Sequence, residues 1–340
     1  MGNRVAQLGI NVQDLDKAVR DYNDVFGIGF VVLRNEDLGL NIAVSDAGIV
    51  LSQSIDPANP SPLQRNWGKD LVTAMEVHVD DLDTVHEQLT RRGVKPVYFM
   101  ETPGGMQEWY YDSSTFYGIP LTATQHSQES WMESIDTNLT GKPEDYSVRI
   151  DWQGDWKPWK AQSGKTEIIR EVKATTDNKM AQVAFNFPHH LDEAGRDFEE
   201  ILGIGGPRIV NHDLGLDIIV TDGGLVLSEN LDHDNPSPIR GCWGKELITA
   251  LEIKVPDLDP VDDRLRALGV KRSYYLDTPG GLREWYYESQ FYGVPLTVTQ
   301  YAQDSFIEAI DKNIEDNPDA YGVRILWEPG YESWKPSAKV

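Results

Sequence analysis

The chain has 340 residues, 40% apolar and 25% charged, which suits two folded domains and not a disordered polypeptide. Its 31 basic residues stand against 55 acidic ones, a net charge of −24, so the phosphate backbone of a nucleic acid would be repelled. The one cysteine, Cys242, allows no intrachain disulfide, the opening MGNRVAQLGINV lacks an apolar signal core, and no apolar run could span a bilayer. A cytoplasmic protein that binds neither nucleic acid nor membrane is therefore expected. Asn138-Leu139-Thr140 matches a glycosylation sequon and is read as chance in such a chain.

In chain order, VAQLGINV alternates and predicts a strand over about 5–12. An amphipathic helix follows, its start marked by Asp14 and its end by Gly27. LGLNIAVSDAGIVLSQS reads as two strands joined at Asp46-Ala47-Gly48. A Pro-rich loop follows, DPANPSPLQRNWGKDL. Then TAMEVHVDDLDTVHEQLTRRGV gives a strand, an Asp-Leu-Asp helix start and a helix ending at Gly93. ETPGGMQEWYYDSSTFYGIPLTATQ supplies a Pro-Gly-Gly turn, an aromatic strand and a Thr-rich strand. SWMESIDTNLTGKPEDYSVRIDW adds a helix and an edge strand.

The whole pattern then recurs about 176 residues later, carrying Trp109 to Trp285 and Glu76 to Glu252. The expected organisation is a first half over 1–156, a linker over 157–178 and a second half over 179–340. Each half contains the sequence strand–helix–strand–strand–strand twice. The third helix start is degenerate, with His189-His190 where the others have Asp-Leu.

This pattern resembles the vicinal oxygen chelate superfamily, which includes glyoxalase I, bleomycin-resistance proteins, methylmalonyl-CoA epimerase and extradiol dioxygenases. The strand-then-DLD starts (Gln7 to Asp16, Ala74 to Asp83, Ala250 to Asp259) and the strands after Gly118 and Gly293 carry the likeness. The resemblance implies an α+β fold of four βαβββ modules forming two tandem open barrels. It also implies that two copies could pair as a homodimer. In that family a His at the start of a module's first strand and a Glu on its last strand bind a divalent metal. The matching positions here are Gln7, Ser52, Ala74 and Thr122, then Gln182, Ser228, Ala250 and Thr297. None is an imidazole or a carboxylate, so no metal or other cofactor is expected. A register slip by one would bring in Gln53 and Glu229 and swap the strand faces; a divalent ion is the alternative in that case.

Alternation along a strand puts Glu76 and His78 on the face of Ala74, and Glu252 and Lys254 on that of Ala250. Gln7 shares a face with Asn11, and Gln182 with Asn186. Thr122 and Thr297 complete a polar interior where a packed core would be apolar. Glu76 and Glu252, desolvated there, suit a general base or acid, with His78 assisting and Lys254 holding Glu252 ionised. Both glutamates could equally serve internal ion-pair networks. The family's catalytic tyrosine position matches Tyr287, with Tyr111 as its repeat. That match turns Trp109, Tyr111, Trp285 and Tyr287 toward the cavity, where they would stack on a flat ligand; core packing is the rival role. Trp67 and Trp243, in the NWGK and CWGK loops, are placed at the barrel mouth. The expected function is metal-independent proton transfer (isomerase, lyase or cyclase type) on an aromatic or polyketide-like small molecule. The rivals are a binding or resistance protein that sequesters an aromatic natural product, a metal-dependent dioxygenase or glyoxalase with altered ligands, and a scaffold that binds nothing.

Overall fold

The computed structural model describes residues 2–61, 72–137, 139, 148–157, 166–237, 248–288, 290–312 and 323–331. They divide into two compact units, Met1–Lys179 and Met180–Val340. Trp67 and Trp243 lie outside the described residues, as do Cys242 and most of the sequon.

In the first unit, β1 (Arg4–Asn11), α1 (Leu15–Phe26), β2 (Phe30–Asn35), β3 (Leu40–Val44) and β4 (Ile49–Ser54) form one βαβββ module. The second consists of β5 (Val72–His78), α2 (Leu82–Arg91), β6 (Pro96–Glu101), β7 (Gln107–Tyr111) and β8 (Leu121–Gln125). The short helix α3 (Trp131–Ile135) and strands β9 (Arg149–Trp152) and β10 (Thr166–Val172) follow. One sheet runs β10-β2-β3-β4-β1-β5-β8-β7-β6-β9. β1 pairs with β4 and β5 with β8 in parallel, and the two modules meet where β1 runs antiparallel to β5. The stretch 157–178, read from the sequence as a linker, thus contains a strand that pairs with β2 from Thr166↔Asn35 to Val172↔Phe30. Its sequence, TEIIREV, has charged residues on both faces and none of its described side chains is fully buried, which is how an edge strand hides in a sequence.

The helices form where the DLD starts place them. The Asp14 side chain accepts from the Lys17 N–H at 2.9 Å, and the Asp81 side chain from the Thr84 N–H at 3.0 Å, satisfying donors that an open helix end would leave unpaired. Gly27 ends α1 at φ 71°, a left-handed position suited to glycine. α1 lies against β3 and β4, and α2 against β7 and β8. Leu8, Ile10, Val19, Tyr22 and Phe26 fill the layer between sheet and helix. Each such fully buried side chain contributes about 1.5–3 kcal/mol. The other face of the sheet is concave: inward residues from β1 through β8 all line one cavity.

Two devices fix α3 over that concavity. Ser130 donates through its hydroxyl to both Asp46 carboxylate oxygens at 3.0 Å, and the Met132 N–H donates to Asp46 at 2.9 Å. On the other side the Pro-Gly-Gly turn presses against the helix. A Cβ on Gly104 would stand 2.3 Å from the Glu133 carbonyl oxygen, and the Gly104 N–H donates to the Ile135 carbonyl at 2.9 Å.

The second unit repeats this plan. Its modules are β11 (Lys179–Asn186), α4 (Leu191–Leu202), β12 (Arg208–Asn211), β13 (Leu216–Val220) and β14 (Leu225–Asn230), then β15 (Ile248–Lys254), α5 (Leu258–Ala267), β16 (Arg272–Asp277), β17 (Arg283–Tyr287) and β18 (Leu296–Gln300). α6 (Phe306–Ile310) and β19 (Arg324–Trp327) follow. The sheet order is β12-β13-β14-β11-β15-β18-β17-β16-β19. Ser305 and Asp222 repeat the clamp on α6 at 2.9–3.0 Å. The degenerate helix start has a consequence here: His190 caps α4 with no side-chain hydrogen bond. The α+β, four-module architecture expected from the sequence is the one observed.

Candidate active site

The cavity of the first unit encloses about 110 Å³, room for several waters or a small organic group. Its wall is largely apolar, with Leu33, Ile42, Val50, Met100 and Met106 among the lining residues. Asn35 and Ser52 add polar groups from β2 and β4, and the ionisable and aromatic donors come from the second module and its short helix. Gln7 comes from β1, Glu76 from β5, Thr122 from β8, Tyr98 from β6 and Glu108 from β7; Trp131 comes from α3.

The register explains the convergence. Glu76 sits opposite Thr122, and Glu108 opposite Thr124, so β8 carries one glutamate on each flank. Both carboxyl groups are about 5% exposed. Trp131 donates its indole N–H to Glu76 Oε1 at 2.5 Å, and the Thr124 hydroxyl donates to the same oxygen at 3.1 Å. The Tyr98 hydroxyl donates to Glu108 Oε1 at 2.6 Å, and its ring stacks on Tyr110 with centroids 5.2 Å apart.

Burial and then the charge of Glu108 push Glu76 well above the ordinary carboxylate range, while the bonds from Trp131 and Thr124 restrain the rise. Burial likewise raises Glu108, with the Tyr98 bond opposing. Two like charges this deeply desolvated cannot both persist at neutral pH, so the pair retains a proton and titrates as a unit. Gln7 adds an aimed acceptor. Its amide nitrogen donates to the Ser45 carbonyl at 3.1 Å, which leaves Oε1 buried without a partner. The Thr122 hydroxyl, buried on the same wall, also has none.

Several residues singled out in the sequence lie elsewhere. Trp109 and Tyr111 face the helix layer: Trp109 stacks on His86 of α2 at 4.0 Å, and the Tyr111 hydroxyl lies 3.1 Å from His86 Nδ1. Trp285 and Tyr287 do the same in the second unit. The Arg272 guanidinium lies 3.8 Å over the Trp285 ring, and Tyr287 donates to Asp262 of α5 at 2.9 Å. Within EWYY the inward residues are therefore the Glu and the first Tyr, one step out of phase with the expectation. His78 does not line the cavity. Its ring packs at 4.7 Å on His126, and burial lowers its pKa. Asn11, at the end of β1, is also outside the lining.

In the second unit Gln182, Asn186, Thr297, Glu252 and Glu284 are all buried. Burial, then Glu284, raises Glu252 well above the ordinary range. Lys254 acts in the expected direction, lowering Glu252, but is outweighed by burial and Glu284; its ammonium lies 3.6 Å over the Tyr301 ring. Phe306 stands where the first unit has Trp131, so the indole donor is lost.

Sequence reading missed Glu108, Tyr98 and Trp131. A glutamate repeated within an aromatic strand, at Glu108 and Glu284, was the available signal for the first. The capping-box spacing Ser130-x-x-Glu133, repeated at Ser305-x-x-Glu308, marked the short helix that carries Trp131.

Residues 4–108 match the family model described as Glyoxalase/Bleomycin resistance protein/Dioxygenase superfamily. Among curated proteins none matches the sequence. Two solved structures share the fold over most of the chain. The 2,2',3-trihydroxybiphenyl 1,2-dioxygenase from dibenzofuran-degrading Sphingomonas wittichii strain RW1 is 13% identical, with a TM-score of 0.52 over 98% of this chain and 94% of that one. The Mn(II)-bound glyoxalase from Novosphingobium aromaticivorans is 13% identical, with a TM-score of 0.51 over 88% of this chain and 83% of that one. The first unit thus contains a stretch that matches this family model, and the chain as a whole shares the fold of these two structures.

Proposed function

We propose that the first unit is an acid–base enzyme of isomerase, lyase or cyclase type acting on an aromatic or polyketide-like small molecule without a metal. The buried Glu76–Glu108 pair, facing a largely apolar cavity, carries this reading. The family's metal positions hold Gln7, Ser52, Ala74 and Thr122. An amide, two hydroxyls and a methyl do not fit a transition metal, so no step is routed through one.

Glu76, held by Trp131 and Thr124, takes a proton from a carbon beside a substrate carbonyl. The electron pair moves onto that carbonyl oxygen, where the Thr122 hydroxyl donates to it. Glu76 then returns the proton to a different atom, which completes an isomerisation, or to a leaving group, which completes an elimination. The proton retained by the pair keeps Glu108 from repelling the developing negative charge. Gln7 Oε1 accepts a hydroxyl of the substrate and fixes its orientation. The second unit, with Phe306 in place of Trp131, serves a structural role.

The apolar wall also supports sequestration of an aromatic molecule, and one experiment separates the two. Aromatic ketones and β-dicarbonyl compounds are incubated with the protein in D2O, and loss of carbon-bound protons is followed by NMR. Catalysed exchange is expected to fall about 10²–10⁴-fold in Glu76→Gln while binding persists. Tight binding without exchange supports sequestration, and exchange untouched by Glu76→Gln contradicts the proposed role.

A further inference from the structure

Outside the barrel interior, the second unit brings two imidazoles and a carboxylate together. His189, Glu229 and His233 each offer a ligand atom, and all three atoms lie within 4.8 Å of one another. His233 Nε2 is 3.4 Å from Glu229 Oε1, and His189 Nδ1 is 4.0 Å from the same oxygen. The two rings lie 4.0 Å apart between centroids. Ligands about 2.0–2.1 Å from a tetrahedral zinc stand roughly 3.3–3.5 Å from each other, so small rotamer changes close this set on a metal.

The duplicated sequence supplies an independent observation. Glu229 corresponds to Gln53, and His233 to Pro57; His189 is an extra residue where the first unit passes directly from Gln13 to its capping Asp14. The three metal-binding residue types thus occur together in one copy of a shared fold and in none of the matching places of the other. In the first unit Gln53 donates to the Gln13 carbonyl at 2.5 Å, a plain neutral tie between the same two segments. In the second unit the Glu229 carboxylate accepts from the His189 N–H at 2.7 Å instead. His189 also adopts φ 66°, in the left-handed region, which is uncommon for a residue with a side chain.

The site is separate from the barrel interior. Ser228, the neighbour of Glu229, donates to the Phe185 carbonyl and occupies the place of the cavity-lining Ser52. Glu229 therefore points to the opposite, helix-bearing face of β14, at the N-terminus of α4. Histidine nitrogens with one carboxylate suit zinc and other late first-row divalent ions rather than magnesium or calcium. With three protein ligands, one coordination position remains for water or an external donor.

We infer that His189, Glu229 and His233 form a divalent transition-metal site on the helix side of the second unit, of the zinc type. Bound metal clasps the start of α4 to the loop after β14. This inference does not depend on the function proposed for the first unit.

The test is calorimetric titration of the full, tag-free chain with Zn²⁺, alongside Glu229→Gln, His233→Pro and Glu76→Gln. The first two install the residues that the first unit already accommodates, and circular dichroism verifies folding. One zinc per chain is expected, with affinity reduced more than about 100-fold in Glu229→Gln and His233→Pro, beyond what loss of an outer-shell partner costs. Glu76→Gln should leave it unchanged. Absence of zinc binding, binding unaltered by Glu229→Gln, or binding lost in Glu76→Gln would each overturn the assignment.

Discussion

Trp131 and Phe306 occupy equivalent places on equivalent helices, and the difference between them bears directly on Glu76. The indole N–H donates to the ionised carboxylate and so opposes the upward push of burial. Trp131→Phe removes that donor and leaves a side chain the fold already accepts in its second unit. The titration of Glu76 should then move further up, and the acid limb of a pH–rate profile, which reports the base, should follow it; an unchanged profile would detach Trp131 from the base. The same carboxyl pair sets a pH dependence of stability. Both groups are raised from an ordinary value of 4.5. The folded state therefore keeps protons that the unfolded state has released, and stability drains away as pH rises above 4.5 and through the raised folded values, by up to about 1.4 kcal/mol per unit for each group. The buried His78 and the half-buried His86 and His126 have lowered pKa values and act oppositely, costing stability as pH falls through the ordinary imidazole range. The informative quantity is consequently the difference between wild type and Glu76→Gln in urea midpoints. That difference should shift in favour of the variant from pH 5 to 8, and a constant difference would contradict the raised pair.

At the scale of elements, α3 is short and has little helical stability of its own. Its position depends on the Asp46 clamp and on the close approach of Gly104. Asp46→Ala removes the acceptor for Ser130 and for the Met132 N–H, and loss of such a helix-start acceptor costs about 1–2 kcal/mol. A lower melting temperature with red-shifted tryptophan emission is expected as Trp131 leaves the cavity. Gly104→Ala is expected to be destabilising, because at this buried position the new methyl would meet backbone oxygen rather than a movable side chain. Overpacking of that kind costs about 1–3 kcal/mol, and an undiminished melting temperature would show that the turn can retreat from the helix.

At the scale of the molecule, the repeat made most of the fold legible. Asp-Leu-Asp starts, terminal glycines and period-two strands gave the order of elements, because caps and alternation are local properties of the chain. β10 escaped because an exposed edge strand needs no apolar face. The site was half legible. Glu76, Gln7 and Thr122 follow from alternation once the module is recognised. Glu108 was passed over because EWYY presents aromatic side chains on both faces, and alternation alone does not say which face has a helix above it. Trp131 reaches Glu76 across 55 residues, a contact that only the assembled sheet and its clamp create.

The central claim is that the first unit holds Glu76 as a base of raised pKa, poised in a largely apolar cavity. It is tested most directly by a carbon-13 NMR titration of the protein labelled at its glutamate carboxyl carbons, compared with Glu76→Gln. Late-titrating resonances are expected from both units, and at least one, well above 4.5, should vanish in the variant. If every late-titrating resonance survives Glu76→Gln, Glu76 ionises like a surface carboxylate, and the acid–base account of the first unit is wrong.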